Sequence, residues 1–333
     1  MDFVIGIDVS KNTLDLAVLK DGILILERRI ENKTKAVRDF LKELVITTEL
    51  SFETTVVCME HTGIYNAVAL DFFWKKGIRI CLEPALRIQQ SQGMTRGKSD
   101  KIDARRIAAY ACKNQRGLAF WRPQRLVIQK MQSLLSLRHR LLKVKTQLEV
   151  PLREAVGYVD PSIIKELNQS TRSALNGIRK NLNDVEQSLN QIIAGDSSVS
   201  AQVEQITSVP GLGLITAANI IVTTGEFTRI TEGKKFACYA GVAPFEHSSG
   251  SSVRGKNRVS KLANMNLKTL LHLSAMSAIR SNPELKDFYQ RKVAEGKNKM
   301  SVINAVRNKL ITRAFACVTQ GRLYQKNYQN ILA

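Results

Sequence analysis

The chain has 333 residues and 37.2 kDa, room for two or three domains, and it carries 50 Lys+Arg against 29 Asp+Glu for a formal charge of +21. With 44% hydrophobic residues and 7 prolines it has enough apolar content to bury real cores, which excludes a wholly disordered basic tail. A charge of this size points to a polyanionic partner, nucleic acid first and an anionic membrane surface second.

The charge is uneven. Residues 1–84 hold 11 Lys+Arg and 13 Asp+Glu, a net of −2, whereas residues 85–333 hold 39 against 16, a net of +23. Asp2 and Asp8 near the start fit no secretory signal. The longest uncharged run, Gln205 to Gly225, contains Pro210, Gly211 and Gly213 and reads poorly as a membrane span. The cysteines Cys58, Cys81, Cys112, Cys238 and Cys317 are scattered and lack metal-binding spacing, so reduced core residues of a cytoplasmic protein are expected.

Phe3–Asp8, Thr13–Leu19 and Ile23–Ile30 are apolar, β-branched segments split by short polar turns, the pattern of a strand meander. Asn32 is placed to cap a helix in which Val37, Phe40, Leu41 and Leu44 recur at helical spacing. Thr54–Met59 is a buried strand, Ile64–Trp74 a helix and Ile78–Leu82 another strand, so an α/β layer fold is expected. Arg87–Ser99 reads as a connection and Asp100–Lys113 as a helix. From Trp121 the character changes. Leu134, Leu137, Leu141, Val144 and Leu148 repeat at steps of 3 and 4, as do Leu175, Ile178, Leu182, Val185, Leu189 and Ile192. Gly157, Asp160 and Pro161 separate the runs, which predicts an antiparallel helical hairpin. Residues 122–153 hold eight Lys+Arg, either a solvated face or one that tracks a phosphate backbone. Ser208-Val-Pro-Gly-Leu-Gly213 is a glycine turn at a helix start, where Gly211 and Gly213 suit one phosphate or form a plain turn. A loop is expected around Ser248–Lys261, then helices over roughly 265–281, 284–295 and 301–320. Trp74 and Trp121 are expected to pack.

Four acids stand where metal-dependent phosphodiester chemistry needs them. Such chemistry gathers carboxylates around Mg²⁺, which stabilises the attacking and leaving oxygens. Asp8 ends the first apolar strand and Glu60 follows the next buried one, while Asp100 and Asp103 share one face at a helix start. Simple N-terminal capping by the two aspartates is the alternative. His61 is expected as a hydrogen-bonding neighbour of Glu60.

Gly6-Ile-Asp8-Val-Ser-Lys11, Met59-Glu60-His-Thr-Gly63-Ile-Tyr65 and Lys98-Ser-Asp100-Lys-Ile-Asp103-Ala-Arg105 together resemble the RuvC-like, ribonuclease-H-type DEDD domain of transposases in insertion-sequence family one-ten, also called bridge recombinases. The serine-rich segment extends the resemblance: Ala240-Gly-Val-Ala-Pro244, Ser249-Gly250 and Ser260-Lys261 match the family's C-terminal domain. Arg254, Lys256, Arg258 and Lys261 crowd this turn, where cations would neutralise charge developing on a phosphorus under attack. His247 is a candidate proton acceptor beside it.

The resemblance implies three parts: a RuvC-like domain over 1–120, a helical coiled-coil middle over 121–198 and a mostly helical C-terminal transposase domain with a catalytic serine loop over 199–333. It implies Ser249 as nucleophile, with Ser248, Ser251 and Ser252 as near alternatives, and a two-metal Mg²⁺ site on Asp8, Glu60, Asp100 and Asp103. It further implies target and donor DNA, a structured non-coding guide RNA, and a homotetramer with composite sites in a bacterial cytoplasm, near the nucleoid. Arg105 and the four serine-segment cations are expected to contact nucleic acid. Two other readings remain from the residues: a RuvC-type junction resolvase or nuclease using water, and a non-catalytic RNA-binding protein on a degenerate nuclease fold.

Overall fold

A computed structural model describes residues 2–91, 100–243, 245–249, 253–259 and 263–326, with the backbone alone for 100, 101, 245–249 and 253–258. The chain divides into two compact units, Met1–Pro123 and Gln124–Ala333.

In the first unit, β1 (Phe3–Val9), β2 (Thr13–Lys20) and β3 (Ile23–Glu31) form the expected meander, and β4 (Thr55–Glu60) and β5 (Arg79–Glu83) complete a five-stranded sheet of order β3-β2-β1-β4-β5. β1, β4 and β5 run parallel, whereas β2 is antiparallel to both its neighbours. Alternate residues of each strand point to opposite faces. Ile5, Ile7, Val57, Met59 and Ile80 pack with Val37, Phe40 and Leu44 of α1 (Thr34–Thr48) and with Leu70 and Phe73 of α2 (Ala67–Lys75). Val4, Cys58 and Cys81 face the other way, onto Ala104, Ile107 and Ala108, and α3 (Ala85–Gln90) and α4 (Asp100–Lys113) supply the helices of that layer. Burial on both faces explains why the central strands are apolar runs without alternation. The unit is thus the α/β layer expected. Trp74 and Trp121 meet edge to face at 5.9 Å.

Three local expectations change: Arg87–Ser99, read as a connection, begins inside α3, and its residues 92–99 lie outside the described residues. Asn32 does not cap α1, whose N-cap is Lys33; its amide donates instead to the carbonyls of Ser10 and Tyr65, tying two loops together. The helix expected from Ile64 opens as a 3₁₀ turn over Gly63–Asn66.

Among the described residues, the second unit is helical apart from one hairpin. α5 (Leu126–Glu154) and α6 (Pro161–Ala194) pair antiparallel, as the cross-links Arg138–Glu186 and Arg179–Glu149 require. The α6 stripe falls where expected, with Leu175, Val185 and Leu189 buried. The α5 stripe is rotated: Ile128, Met131 and Leu135 are buried, whereas Leu137 and Val144 are exposed. The base of the pair shares one core with α7 (Ser197–Thr207), α8 (Leu214–Thr224), α9 (Gly233–Tyr239), α10 (Met265–Ser281), α11 (Pro283–Ala294) and α12 (Lys299–Thr319). That common core explains the rotation, because α5 must present Ile128 and Met131 to α8 as well as to α6. Arg125 before α5 fastens this corner by bridging Asp196, the N-cap of α7, and Glu226 after α8.

All five cysteines are free, and Cys58, Cys81 and Cys317 are buried. The neighbouring Cys81 thiol and burial push Cys58 up, so it stays protonated. Among the described residues, no helix is long and apolar enough to cross a membrane.

Candidate active site

The carboxyl ends of β1, β4 and β5 lie at one edge of the sheet, the side on which open α/β sheets carry their sites. Ile7 pairs with Met59, so Asp8 and Glu60 follow one step beyond, level with each other, and Glu60 pairs with Glu83. Strand alternation puts these acids on the face that carries Val4, Cys58 and Cys81, the face covered by α4.

α4 runs back along β1. Its distal residue Cys112 feels the charge of Asp21, which hydrogen-bonds Asp2 at the start of β1, so the first turn of α4 lies toward Asp8. The approach is close. A Cβ on Gly6 would lie 2.4 Å from the Ala104 carbonyl oxygen and 2.4 Å from the Ala108 nitrogen, so only glycine lets the helix rest on the strand. Asp103 directly precedes Ala104, and Asp8 lies two residues beyond Gly6. Asp103 is half-buried and accepts from Arg106 at 2.9 Å. Asp100 opens α4, and only its backbone is described. Arg105, expected to contact nucleic acid, makes a two-toothed ion pair with Glu27 of β3.

The loop after Glu60 is built by Asn66, 1% exposed, which accepts from the Thr62 backbone and hydroxyl and donates to the Glu60 carbonyl. His61, expected to bond Glu60, has its bonds to other partners: its ring accepts from Gly63 and its backbone donates to the Glu83 carbonyl.

In the second unit, the segment expected as a loop is a β-hairpin of β6 (Phe245–Ser249) and β7 (Val253–Arg258). Apart from Phe245 and Val253 its sequence is polar or glycine, so no hydrophobic alternation marks it. Ser249 ends β6 opposite Val253, and Ser248 pairs with Arg254. Lys256 and Arg258 lie further along β7, whereas Gly250, Ser251, Ser252 and Lys261 lie outside the described residues. The entry and exit of the segment are pinned. Asn304 of α12 donates to the Val242 carbonyl at 2.6 Å, Asn264 donates to Tyr239, and Gly241 (φ +64°) packs where a Cβ would sit 2.5 Å from Ala263. Arg307, 6% exposed, supports Asn304 and bonds Nδ1 of His272 at 2.6 Å. Burial and then the Arg307 charge hold His272 below the usual imidazole range.

Gly211 has a packing reason: at φ +94° its missing Cβ would lie 2.5 Å from Ala278 of α10. Gly213 is the N-cap of α8 and has open space around it.

Two family models match this chain. One, described as Transposase and specific to the DEDD domain of IS110 elements, covers residues 5–161; the other, described as Transposase IS116/IS110/IS902 family, covers residues 203–290. The chain belongs to the IS110 family of transposases. This transposase is therefore an enzyme that cuts and rejoins DNA, and its DEDD domain implies a divalent metal, typically Mg²⁺. Relatives include the pilin gene-inverting proteins of Moraxella lacunata, 24% identical, and Moraxella bovis, 25% identical, each alignment covering 97% of both chains. The insertion element IS110 uncharacterized 43.6 kDa protein of Streptomyces coelicolor is 33% identical over 120 residues, 36% of this chain and 29% of that protein. Thermus thermophilus RuvC in complex with a Holliday junction substrate aligns over 36% of this chain and all of its own, at 14% identity and a TM-score of 0.29.

The donors at the sheet edge are hard carboxylate oxygens, which suit Mg²⁺ in kind. Among the described residues, no three acids, histidines or cysteines close into a metal cage. Two acids on the same face went unnoticed in the sequence: Glu83, and Asp15 directly across from Asp8. A signal for Glu83 was present, since Cys58-Met-Glu60 and Cys81-Leu-Glu83 close adjacent strands alike.

Proposed function

We propose that this transposase cuts DNA with Ser249 and holds Mg²⁺ on Asp8, Glu60, Asp100 and Asp103. The Ser249 hydroxyl oxygen bonds to a strand phosphorus as the bond from phosphorus to the 3′ oxygen breaks. The hydroxyl proton leaves, the 3′ oxygen leaves protonated as a free 3′-OH, and the 5′ phosphate stays on the serine. Rejoining reverses the exchange with a 3′-OH from another strand, so the energy of the phosphodiester is conserved. Bound Mg²⁺ would supply two-metal activation of the attacking and leaving oxygens. Arg254, Lys256, Arg258 and Lys261 neutralise charge on the phosphate under attack, and His247, two residues before Ser249 in the sequence, is the candidate acceptor for the serine proton.

The observation that carries this reading is the match of one chain to the family's DEDD and C-terminal models, with Asp8 and Glu60 ending adjacent strands on the face covered by α4 and Ser249 ending a hairpin whose β7 holds Arg254, Lys256 and Arg258. The functional division follows: a metal-holding part over 1–120, a coiled-coil middle over 121–198 and a serine part over 199–333. Guidance by a structured RNA that pairs with target and donor DNA, and assembly as a tetramer with composite sites, complete the proposal; the net +23 after residue 84 suits that load.

The test is a denaturing gel of full-length protein with its element-end DNA and copurified RNA. A protein–DNA adduct is expected, resistant to 5′ exonuclease and extendable from its free 3′-OH. Ser249→Ala loses the adduct with its circular dichroism unchanged, and Ser248→Ala keeps it. Hydrolysed ends without an adduct would replace this reading with the water-using nuclease.

A further inference from the structure

Glu83 is a carboxylate the DEDD pattern does not use, and it is only 2% exposed. A buried carboxylate is costly unless it is paired and hydrogen-bonded, so its partners say what it does. Its two oxygens take Arg87 of α3 at 3.2 and 3.3 Å, and the Cys81 thiol lies 3.5 Å away. Tyr110 of α4 lies against it; burial first, and then the Glu83 charge, push that phenol up to about 12. The Glu83 carbonyl accepts from the His61 backbone at 2.9 Å, immediately after Glu60. One residue thus touches the strand end of Glu60, the helix before the DEDD helix, and the DEDD helix itself. Tyr110 stands seven residues, two turns, beyond Asp103 and therefore on the same stripe of α4.

The other flank repeats the arrangement. Asp15, 3% exposed, stands opposite Asp8 and takes both Nε and a terminal nitrogen of Arg29. The sheet edge therefore carries four carboxylates in a row, with the outer two each tied to an arginine and the inner two, Asp8 and Glu60, at DEDD positions.

We infer that Glu83 is a positioning residue for the metal carboxylates, clamping α3 and α4 to the end of β5 so that Asp103 arrives beside Asp8 and Glu60. The inference rests on the metal reading of the DEDD acids. Glu83 is not itself a ligand, because Arg87 occupies its oxygens.

Mn²⁺ titration of the full-length chain, followed by electron paramagnetic resonance, is the test. Glu83→Gln keeps the shape and loses the charge that holds Arg87; about tenfold weaker Mn²⁺ binding is expected with the number of ions unchanged, the usual scale for an outer partner of a metal site. Should Glu83→Gln fail to fold, Arg87→Ala serves, since that side chain is largely exposed; it is expected to weaken Mn²⁺ several-fold, and Arg87→Lys to recover part of the loss. Wild-type affinity in folded Glu83→Gln or in Arg87→Ala overturns the clamp. A lost ion in Glu83→Gln also overturns it, since Glu83 would then be a ligand. No Mn²⁺ binding by the wild-type chain overturns the metal reading, and the clamp with it.

Discussion

Gly6 shows how much of the site rests on one missing atom. Its Cβ would have to displace two backbone atoms of α4, neither of which has a flexible end to swing aside. Overpacking of this kind typically costs roughly 1–3 kcal/mol, so Gly6→Ala is expected to lower the urea midpoint by that scale and to lift Asp103 away from Asp8. Mn²⁺ affinity falling together with stability would show both effects; unchanged affinity would mean that α4 is held by other contacts. His272 gives a second residue-scale expectation. Burial and Arg307 lower its pKa in the folded chain, so below the unfolded value of ~6.5 the unfolded state takes up a proton that the folded state refuses. The stability that this neutral imidazole contributes is full above that pH and drains away as pH falls. Melting curves between pH 7.5 and 5 are expected to shift less in His272→Gln than in wild type; equal shifts would place the titration elsewhere.

At the scale of elements, the helical pair tests which side of α5 is inside. Leu135 is 8% exposed and Leu137 36%, although the heptad spacing puts Leu137 in the seam. Leu135→Ala is expected to cost about 2–4 kcal/mol as a core truncation, whereas Leu137→Ala stays within roughly 0.5 kcal/mol as a surface change. Denaturant curves reversing that order would restore the register read from spacing. The misreading has a physical cause. Leucines lie on both sides of the true seam, and the tie is broken by the α7–α12 core, which the local period of α5 does not contain. The first unit was more legible because burial on both faces leaves a plain mark: apolar runs such as Val4 to Ile7 and Val56 to Met59 ending in an acid. The hairpin around Ser249 left no such mark, since Glu246, His247, Arg254 and Lys256 alternate nothing hydrophobic. The arginines were the least legible. Neither the Glu27 partner of Arg105 nor the Arg29 partner of Asp15 is near in sequence: the packing of α4 on the sheet brings the first pair together and the β2–β3 register the second.

For the whole molecule, the 50 Lys+Arg overstate the cations offered to a partner, because many are matched by acids that the net +21 already subtracts. On and beside α5, Arg125 is held by Asp196 and Glu226, Arg138 by Glu186 and Lys145 by Glu149, whereas Lys130, Arg140, Lys143 and Arg153 are exposed. The two kinds of cation differ in what salt does to them. A cation that neutralises a nucleic-acid phosphate releases a counterion, and each one steepens the fall of log affinity with log salt by about one. One already neutralised by a neighbouring carboxylate releases none. Replacing Lys130, Arg140, Lys143 and Arg153 with Gln in the full chain is therefore expected to reduce the salt slope for DNA binding by nearly four in total. Arg105→Gln, which removes a charge that Glu27 already matches, is expected to leave the slope unchanged. Filter-binding titrations from 50 to 300 mM salt, a range set on the order of physiological ionic strength, measure both. If the four-residue variant kept the wild-type slope, these exposed cations of α5 would be solvated surface, and the phosphate contacts would belong to the cations of the serine hairpin.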